Sequence, residues 1–279
     1  MTQRSETISP TAHYTGHIWT RYGMSHPAFA TPQGRLFHAA VEPAMRLSAA
    51  FGGPTLAGFL LARHRLIDHR LRTAIESGRV SQVIEIAAGL SPRGWRFNQR
   101  FGDRLTYIEA DLPDMAARKQ RVLDNTGAGG SQHRVVTIDA LATQGPNSLD
   151  GIAADLDPTQ GLAIITEGLL SYLDPAAVDG LWARIATTLN GFEHGIYLSD
   201  LHLGEETAGP ATRAFMSMLS AFVRGRVHLH HADATAALDA LQAAGFSQAT
   251  LHKPQDWTRE IGDTPPGAHL VRVLEAGMT

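Results

Sequence analysis

The stretch VIEIAAGLSPRG (Val83–Gly94), followed at the spacing of one helix by LTYIEAD (Leu105–Asp111), decides the fold. Val83, Ile84 and Ile86 form a short apolar run that breaks at small residues around Gly89, and a second apolar run ends in Asp111. This is the pattern of a βαβ nucleotide site, in which the first turn lets backbone approach a ligand and the acid ending the second strand reaches a ribose diol. The turn lacks the GxGxxG pattern that a nicotinamide site calls for, and Glu85 stands inside the end of the first strand. Both features tilt the reading from a dinucleotide towards S-adenosyl-L-methionine.

Working outward, the same texture recurs on the C-terminal side. Strands are expected at Gln82–Ile86, Leu105–Glu109, His133–Ile138, Leu162–Thr166, Gly195–Ser199 and His269–Leu274. Helices are expected between them at Pro92–Arg100, Pro113–Asn125, Leu149–Asp155 and Pro175–Leu189, with Pro92, Pro113 and Pro175 suited to a first helical turn. Two later helices are read at Pro210–Arg224 and Asp233–Ala244. The alternation implies an α/β, Rossmann-like fold with a mostly parallel sheet and helices on both faces. Before it, helical patterns over about Arg35–Phe51 and Leu56–Ser77 read as a helical cap. The first thirty-odd residues, rich in histidine and aromatics and broken by Pro10, Pro27 and Pro32, read as an arm or lid. The expected organisation is therefore a cap over residues 1–79 and a ligand-binding domain over 80–279, with a substrate-side insertion at about 202–231.

Composition excludes several classes. The 279 residues are 43% hydrophobic and 18% charged, with a net charge of -3, which suits a globular core and carries no concentrated basic footprint for nucleic acid. The absence of cysteine rules out disulfides, thiolate metal sites and a thiol nucleophile. Residues 1–20 contain no apolar leader-like run and no stretch is long enough to span a bilayer, so a soluble, cytoplasmic protein is expected. His228, His230 and His231 are the densest histidine group, but no further ligand follows at a metal-binding spacing, and no metal is assigned.

Parallel α/β sheets bind ligands beyond the carboxyl ends of their strands. The ends here carry Glu85, Asp111, Asp139, Glu167 and Asp200. That acid density suits a ligand with a ribose diol, an ammonium and a positive sulfur better than a pyrophosphate.

On ARHRLIDHRL (62–71), VIEIAAGLSPRGWRF (83–97), YIEADLPDMAARKQRVL (107–123) and AIITEGLLSYLD (163–174), the chain resembles the leucine carboxyl methyltransferase family of class I methyltransferases, including its bacterial tetracenomycin-type polyketide carboxyl O-methyltransferases. The resemblance covers roughly residues 55 to 200. It implies S-adenosyl-L-methionine as cofactor, with Arg63 on the methionine carboxylate, Gly89 and its neighbour Ala87 beneath the methionine, and Glu85 near the amino group. It further implies Asp111 on the ribose hydroxyls, Asp139 beside the adenine and Glu167 on the floor of the site. Where the family usually reads Gly-Ala-Gly-Leu-Asp-Thr-Arg, this chain reads Ala87-Ala88-Gly89-Leu90-Ser91-Pro92-Arg93, so a methyl stands where glycine is usual and one acid is replaced by Ser91.

The expected reaction is O-methylation of a small-molecule acceptor, a carboxylate before a phenol, because a carboxylate is already ionised and needs no general base. Tyr172 and His202 are the candidates on the acceptor side. Other classes that share this architecture are a non-catalytic cofactor-binding or scaffold protein, an NAD-dependent oxidoreductase and, within the family, a protein phosphatase methyltransferase. No nucleic-acid or membrane partner is expected, and a homo-oligomer is left open.

Overall fold

A computed structural model describes residues 10–127, 132–207 and 228–278. Seven strands form one sheet: β1 (Gln82–Ile86), β2 (Thr106–Asp111), β3 (His133–Thr137), β4 (Leu162–Thr166), β5 (Gly195–Leu201), β6 (Gln248–His252) and β7 (Arg272–Gly277). Their order is β3-β2-β1-β4-β5-β7-β6. The first five are parallel, and β7 runs antiparallel to both β5 and β6. The chain leaves β1 in one direction to build β2 and β3, then returns to place β4 on the other side of β1. The carboxyl ends of β1 and β4 therefore flank the point where strand order reverses, the position at which open α/β sheets bind ligands.

Side-chain alternation divides the sheet into two faces. Ile84, Ile86, Ile108, Ala110 and Ile164 pack against α6 (Leu149–Ala153), α7 (Pro175–Leu189) and α8 (Ala234–Ala243). Val83, Tyr107, Ala163 and Ile165 pack against α3 (Leu56–Glu76) and α4 (Arg93–Phe101). A third apolar cluster joins α1 (Pro10–Arg21), α2 (Pro32–Ala50) and the start of α3 through Tyr14, Ile18, Trp19, Met45, Phe59 and Leu60. The remaining α-helices among the described residues are α5 (Pro113–Asp124) and the short α9 (Thr258–Ile261).

Local chemistry sets the helix starts. The hydroxyls of Thr31 and Thr55 accept from the amides of Gly34 and Gly58, and the carboxylates of Asp174 and Asp233 accept from Ala177 and Ala236, satisfying donors that a first helical turn leaves open. Pro32, Pro113 and Pro175 occupy first-turn positions, where a missing amide costs nothing. Pro92 instead stands just ahead of α4. Gly34 lets α1 and α2 touch, since a Cβ there would lie 2.2 Å from the carbonyl oxygen of His13.

Three readings of the sequence change. Within the segment read as an arm or lid, residues 10–21 are a helix: Tyr14 and Ile18 fall at helical spacing and are buried. The last strand begins at Arg272 instead of His269, because Ala268–Leu270 forms a 3-10 turn. An additional edge strand, β6, lies where no strand was expected; its QATLH sequence has no apolar run, and its burial is partial along its length. The helix expected at Pro210–Arg224 lies outside the described residues. No helix among the described residues is long and apolar enough to cross a membrane.

Candidate functional site

A cavity of about 580 Å³ opens beyond the carboxyl ends of β1, β2 and β4. Its floor and walls come from Arg63 of α3, Glu85 at the end of β1, the turn Ala87–Ser91, the segment Asp111–Met115 and the segment Glu167–Leu169 with Tyr172. Its remaining wall is α1, which contributes Thr11, Ala12, Thr15 and Trp19.

The turn after β1 is built on two left-handed residues, Gly89 at φ 50° and Ala87 at φ 55°, the latter the one non-glycine residue with positive φ among those described. Ala87 thus adopts, with a methyl group, a conformation that glycine occupies without cost. The Gly89 amide donates to Asp111 Oδ2 at 2.7 Å, and the Leu112 amide donates to Asp111 Oδ1 at 2.8 Å. Burial raises the Asp111 pKa against the lowering effect of these two amide bonds. Each carboxylate oxygen keeps a further acceptor site, so the group can still receive hydroxyl donors from the cavity.

Under the turn lies a dense charged floor. Arg63 donates through Nε to Glu167 Oε1 at 3.1 Å and through Nη1 to Asp200 Oδ2 at 2.7 Å. Asp200 in turn accepts from the Gly168 amide at 2.6 Å. Arg93, wholly buried, donates to Asp68 Oδ1 at 2.6 Å and Glu85 Oε1 at 2.5 Å, and also pairs with Glu167 Oε2. Tyr107 closes the set by donating to Glu85 Oε2 at 2.7 Å. Burial alone would raise the Glu167 pKa, but His64, Arg93 and Arg63 outweigh it and hold the carboxyl far below its ordinary range. Burial likewise opposes the Arg63 charge, and Asp200 and Glu167 overcome it. Trp19 stacks on His64 with ring centroids 4.2 Å apart, and His64 Nδ1 lies 2.8 Å from Glu167 Oε2, so the α1 wall is mechanically joined to the floor.

Of the residues singled out in the sequence, Arg63, Glu85, Ala87, Gly89, Asp111, Glu167 and Tyr172 meet at this cavity. Asp139 does not line it; its Oδ1 accepts from the Leu141 amide at 3.0 Å beyond β3. Nor does His202, which is buried between Phe59, at 5.1 Å between ring centroids, and the Leu270 carbonyl, at 3.1 Å from Nδ1. Burial lowers the His202 pKa more than nearby Asp200 raises it. Sequence reading passed over Arg93 and took α1 only as part of an arm or lid, of which Trp19 lines the cavity. Arg93 had a signal: strand alternation puts Glu85 on the buried face with Val83, and a buried carboxylate calls for a cation.

The model of the leucine carboxyl methyltransferase family matches residues 27–186, more than half of the chain. The chain belongs to the leucine carboxyl methyltransferase family. A relative from Rhodococcus jostii, named "Putative S-adenosyl-L-methionine-dependent methyltransferase", is 37% identical over 135 residues, covering 48% of this chain and 44% of the relative. One of the same description from Frankia alni is 33% identical over 190 residues, covering 61% of this chain and 65% of the relative. The match thus spans less than two thirds of the length of either relative. Among solved structures, a "putative methyltransferase" from Thermobifida fusca superposes with a TM-score of 0.67 at 15% identity, covering 99% of this chain and 97% of that one. A "duf574 family protein" from Streptomyces avermitilis gives 0.60 at 13% identity, covering 96% and 97%. At these identities the structures speak for the fold of this leucine carboxyl methyltransferase family member, which is that of the class I methyltransferases. S-adenosyl-L-methionine is the cofactor that goes with this family.

Proposed function

We propose that this chain is an S-adenosyl-L-methionine-dependent O-methyltransferase acting on a small-molecule carboxylate. The observation that carries the reading is the position of Asp111: at the end of β2, tied to the Gly89 turn, and facing a cavity at the strand-order reversal. The residues present fit the cofactor. Asp111 retains acceptor sites for a ribose diol, the left-handed Gly89 turn permits close approach by a ligand, and Arg63 and Glu167 offer one cationic and one anionic group on the same floor. The cavity has the size of an ordinary small-ligand pocket.

When bound, S-adenosyl-L-methionine supplies an electrophilic methyl group whose C–S bond breaks as an acceptor oxygen bonds to the carbon. The task left to the chain is alignment and exclusion of water. Trp19, Leu169 and Tyr172 supply an apolar and aromatic wall for that purpose, and α1 is the part of the N-terminal cap that closes over the cavity. A carboxylate acceptor needs no proton removed. In keeping with this, no histidine occurs among the described residues lining the cavity.

The test is transfer of a labelled methyl group from S-adenosyl-L-methionine to a panel of aromatic and aliphatic acids and phenols, followed by alkaline treatment. Methyl esters hydrolyse and release labelled methanol, whereas aryl methyl ethers do not. Label released from acid substrates is expected. Label retained on phenols alone would replace the carboxyl reading with a phenol one.

A further inference from the structure

Lys119 is 1% exposed and does not line the cavity, yet it meets the cavity's turn from behind. Its ammonium donates to the Ser91 carbonyl at 2.5 Å and the Gly89 carbonyl at 3.3 Å, and it pairs with Glu109 Oε2 at 3.0 Å. Three acceptors match the three donors of an ammonium. The ring of Phe29 lies 5.5 Å from Nζ, adding an apolar, π-bearing wall. Lysine at this place does more than neutralise Glu109, because two of its three bonds go to backbone carbonyls of one turn.

Those bonds fix the orientation of a peptide plane. In a trans peptide, C=O and N–H point in opposite directions. With the Gly89 carbonyl turned towards Lys119, the N–H of the same unit, carried by Leu90, points away from Lys119, and Leu90 is one of the residues that line the cavity. Four neighbouring amides have partners: Ala88 donates to the Ala110 carbonyl, Gly89 to Asp111, Ser91 to the Ala88 carbonyl, and Arg93 to Ser91 Oγ. The Leu90 amide has no hydrogen-bond partner among the described residues. An amide donor on a residue that lines a ligand cavity, with Arg63 lining the same cavity, invites a carboxylate.

We propose that Lys119 is a positioning residue that clamps the 89–90 peptide from the side away from the cavity, so that the Leu90 amide donates to the carboxylate of the amino-acid part of the bound cofactor. This rests on the S-adenosyl-L-methionine reading above. It predicts a selective effect: loss of Lys119 weakens ligands that carry that carboxylate and spares those that lack it.

The experiment measures affinity for S-adenosylhomocysteine and for its decarboxylated analogue in wild type, Glu109→Gln and the double variant Lys119→Met with Glu109→Gln. The double variant removes both charges together and leaves no unpaired buried carboxylate, so the fold is retained, as its melting curve will report. Expected is a tenfold or greater loss for S-adenosylhomocysteine in the double variant, with the decarboxylated analogue within about threefold of wild type. Equal losses for both ligands would overturn the inference and leave Lys119 a purely structural residue. Wild-type protein that binds neither ligand would overturn the cofactor reading itself, and this inference with it.

Discussion

The Gly89 amide sits 2.7 Å from Asp111 Oδ2, so the turn that follows the first strand is held by the acid that ends the second. The two halves of the candidate site are one hydrogen-bonded unit, and protonation of Asp111 disturbs both. Burial raises the Asp111 pKa from its ordinary 3.8, whereas Glu167 is held ionised well below its own usual range. Affinity for S-adenosylhomocysteine is therefore expected to fall as pH drops through the raised Asp111 value, while the Arg63–Glu167 pair stays intact. An Asp111→Asn variant is expected to show weaker affinity with no such step. Titration calorimetry over a pH series reads this, and an identical step in the variant would refute it.

Arg93 answers three carboxylates, Asp68, Glu85 and Glu167, and is wholly buried. Removing it strands those charges in a dry floor. Arg93→Met is expected to lower stability by about 3–5 kcal/mol, and Arg93→Lys to recover only part of the loss, because one ammonium cannot span the fork that the guanidinium spans. Chemical denaturation measures both. Wild-type stability in the methionine variant would show that the cluster is not charged as described.

Ala87 is held at φ 55°. A left-handed alanine costs about 1–2 kcal/mol, and glycine gives back part of that through greater freedom in the unfolded chain. Ala87→Gly is expected to raise stability by about 0.5–1 kcal/mol. Ala88→Gly, at a buried neighbour without positive φ, is expected to lower it by a similar amount. Thermal melts of the two variants should move in opposite directions.

Glu275 on β7 receives a double hydrogen bond from Arg70 of α3, at 2.6 and 3.1 Å. Burial would raise its pKa, but His252 and Arg70 bring it down to about 2. A depressed carboxylate contributes stability above its unfolded value of 4.5, and that contribution is lost as pH falls towards about 2. Glu275→Gln is expected to cost about 2 kcal/mol at neutral pH, with the difference from wild type shrinking across that acidic window. A constant difference at all pH values would contradict it.

The sheet was legible because buried parallel strands are written as apolar runs: Gln82–Ile86 and Leu162–Thr166 are found where periodicity puts them. The edge strand β6 was not, since half of its side chains face water and its sequence resembles a loop. Within the site, Asp111 and Gly89 were readable as single residues at strand ends. The partners of Glu85 were not, because Arg93 of α4 and Tyr107 of β2 reach its two oxygens only in the folded chain, where Asp68 of α3 holds Arg93 from the other side. The N-terminal segment was legible as an arm or lid, but its helical form was not, since Tyr14, Ile18 and Trp19 bury against α3, a long-range contact.

The central claim is tested most directly by calorimetry of S-adenosyl-L-methionine and S-adenosylhomocysteine with wild type and Asp111→Ala side by side. The account predicts one site with a dissociation constant on the order of micromolar in the wild type, and its loss in the folded variant. Absence of binding to the wild type, or equal binding to a folded Asp111→Ala protein, would contradict it.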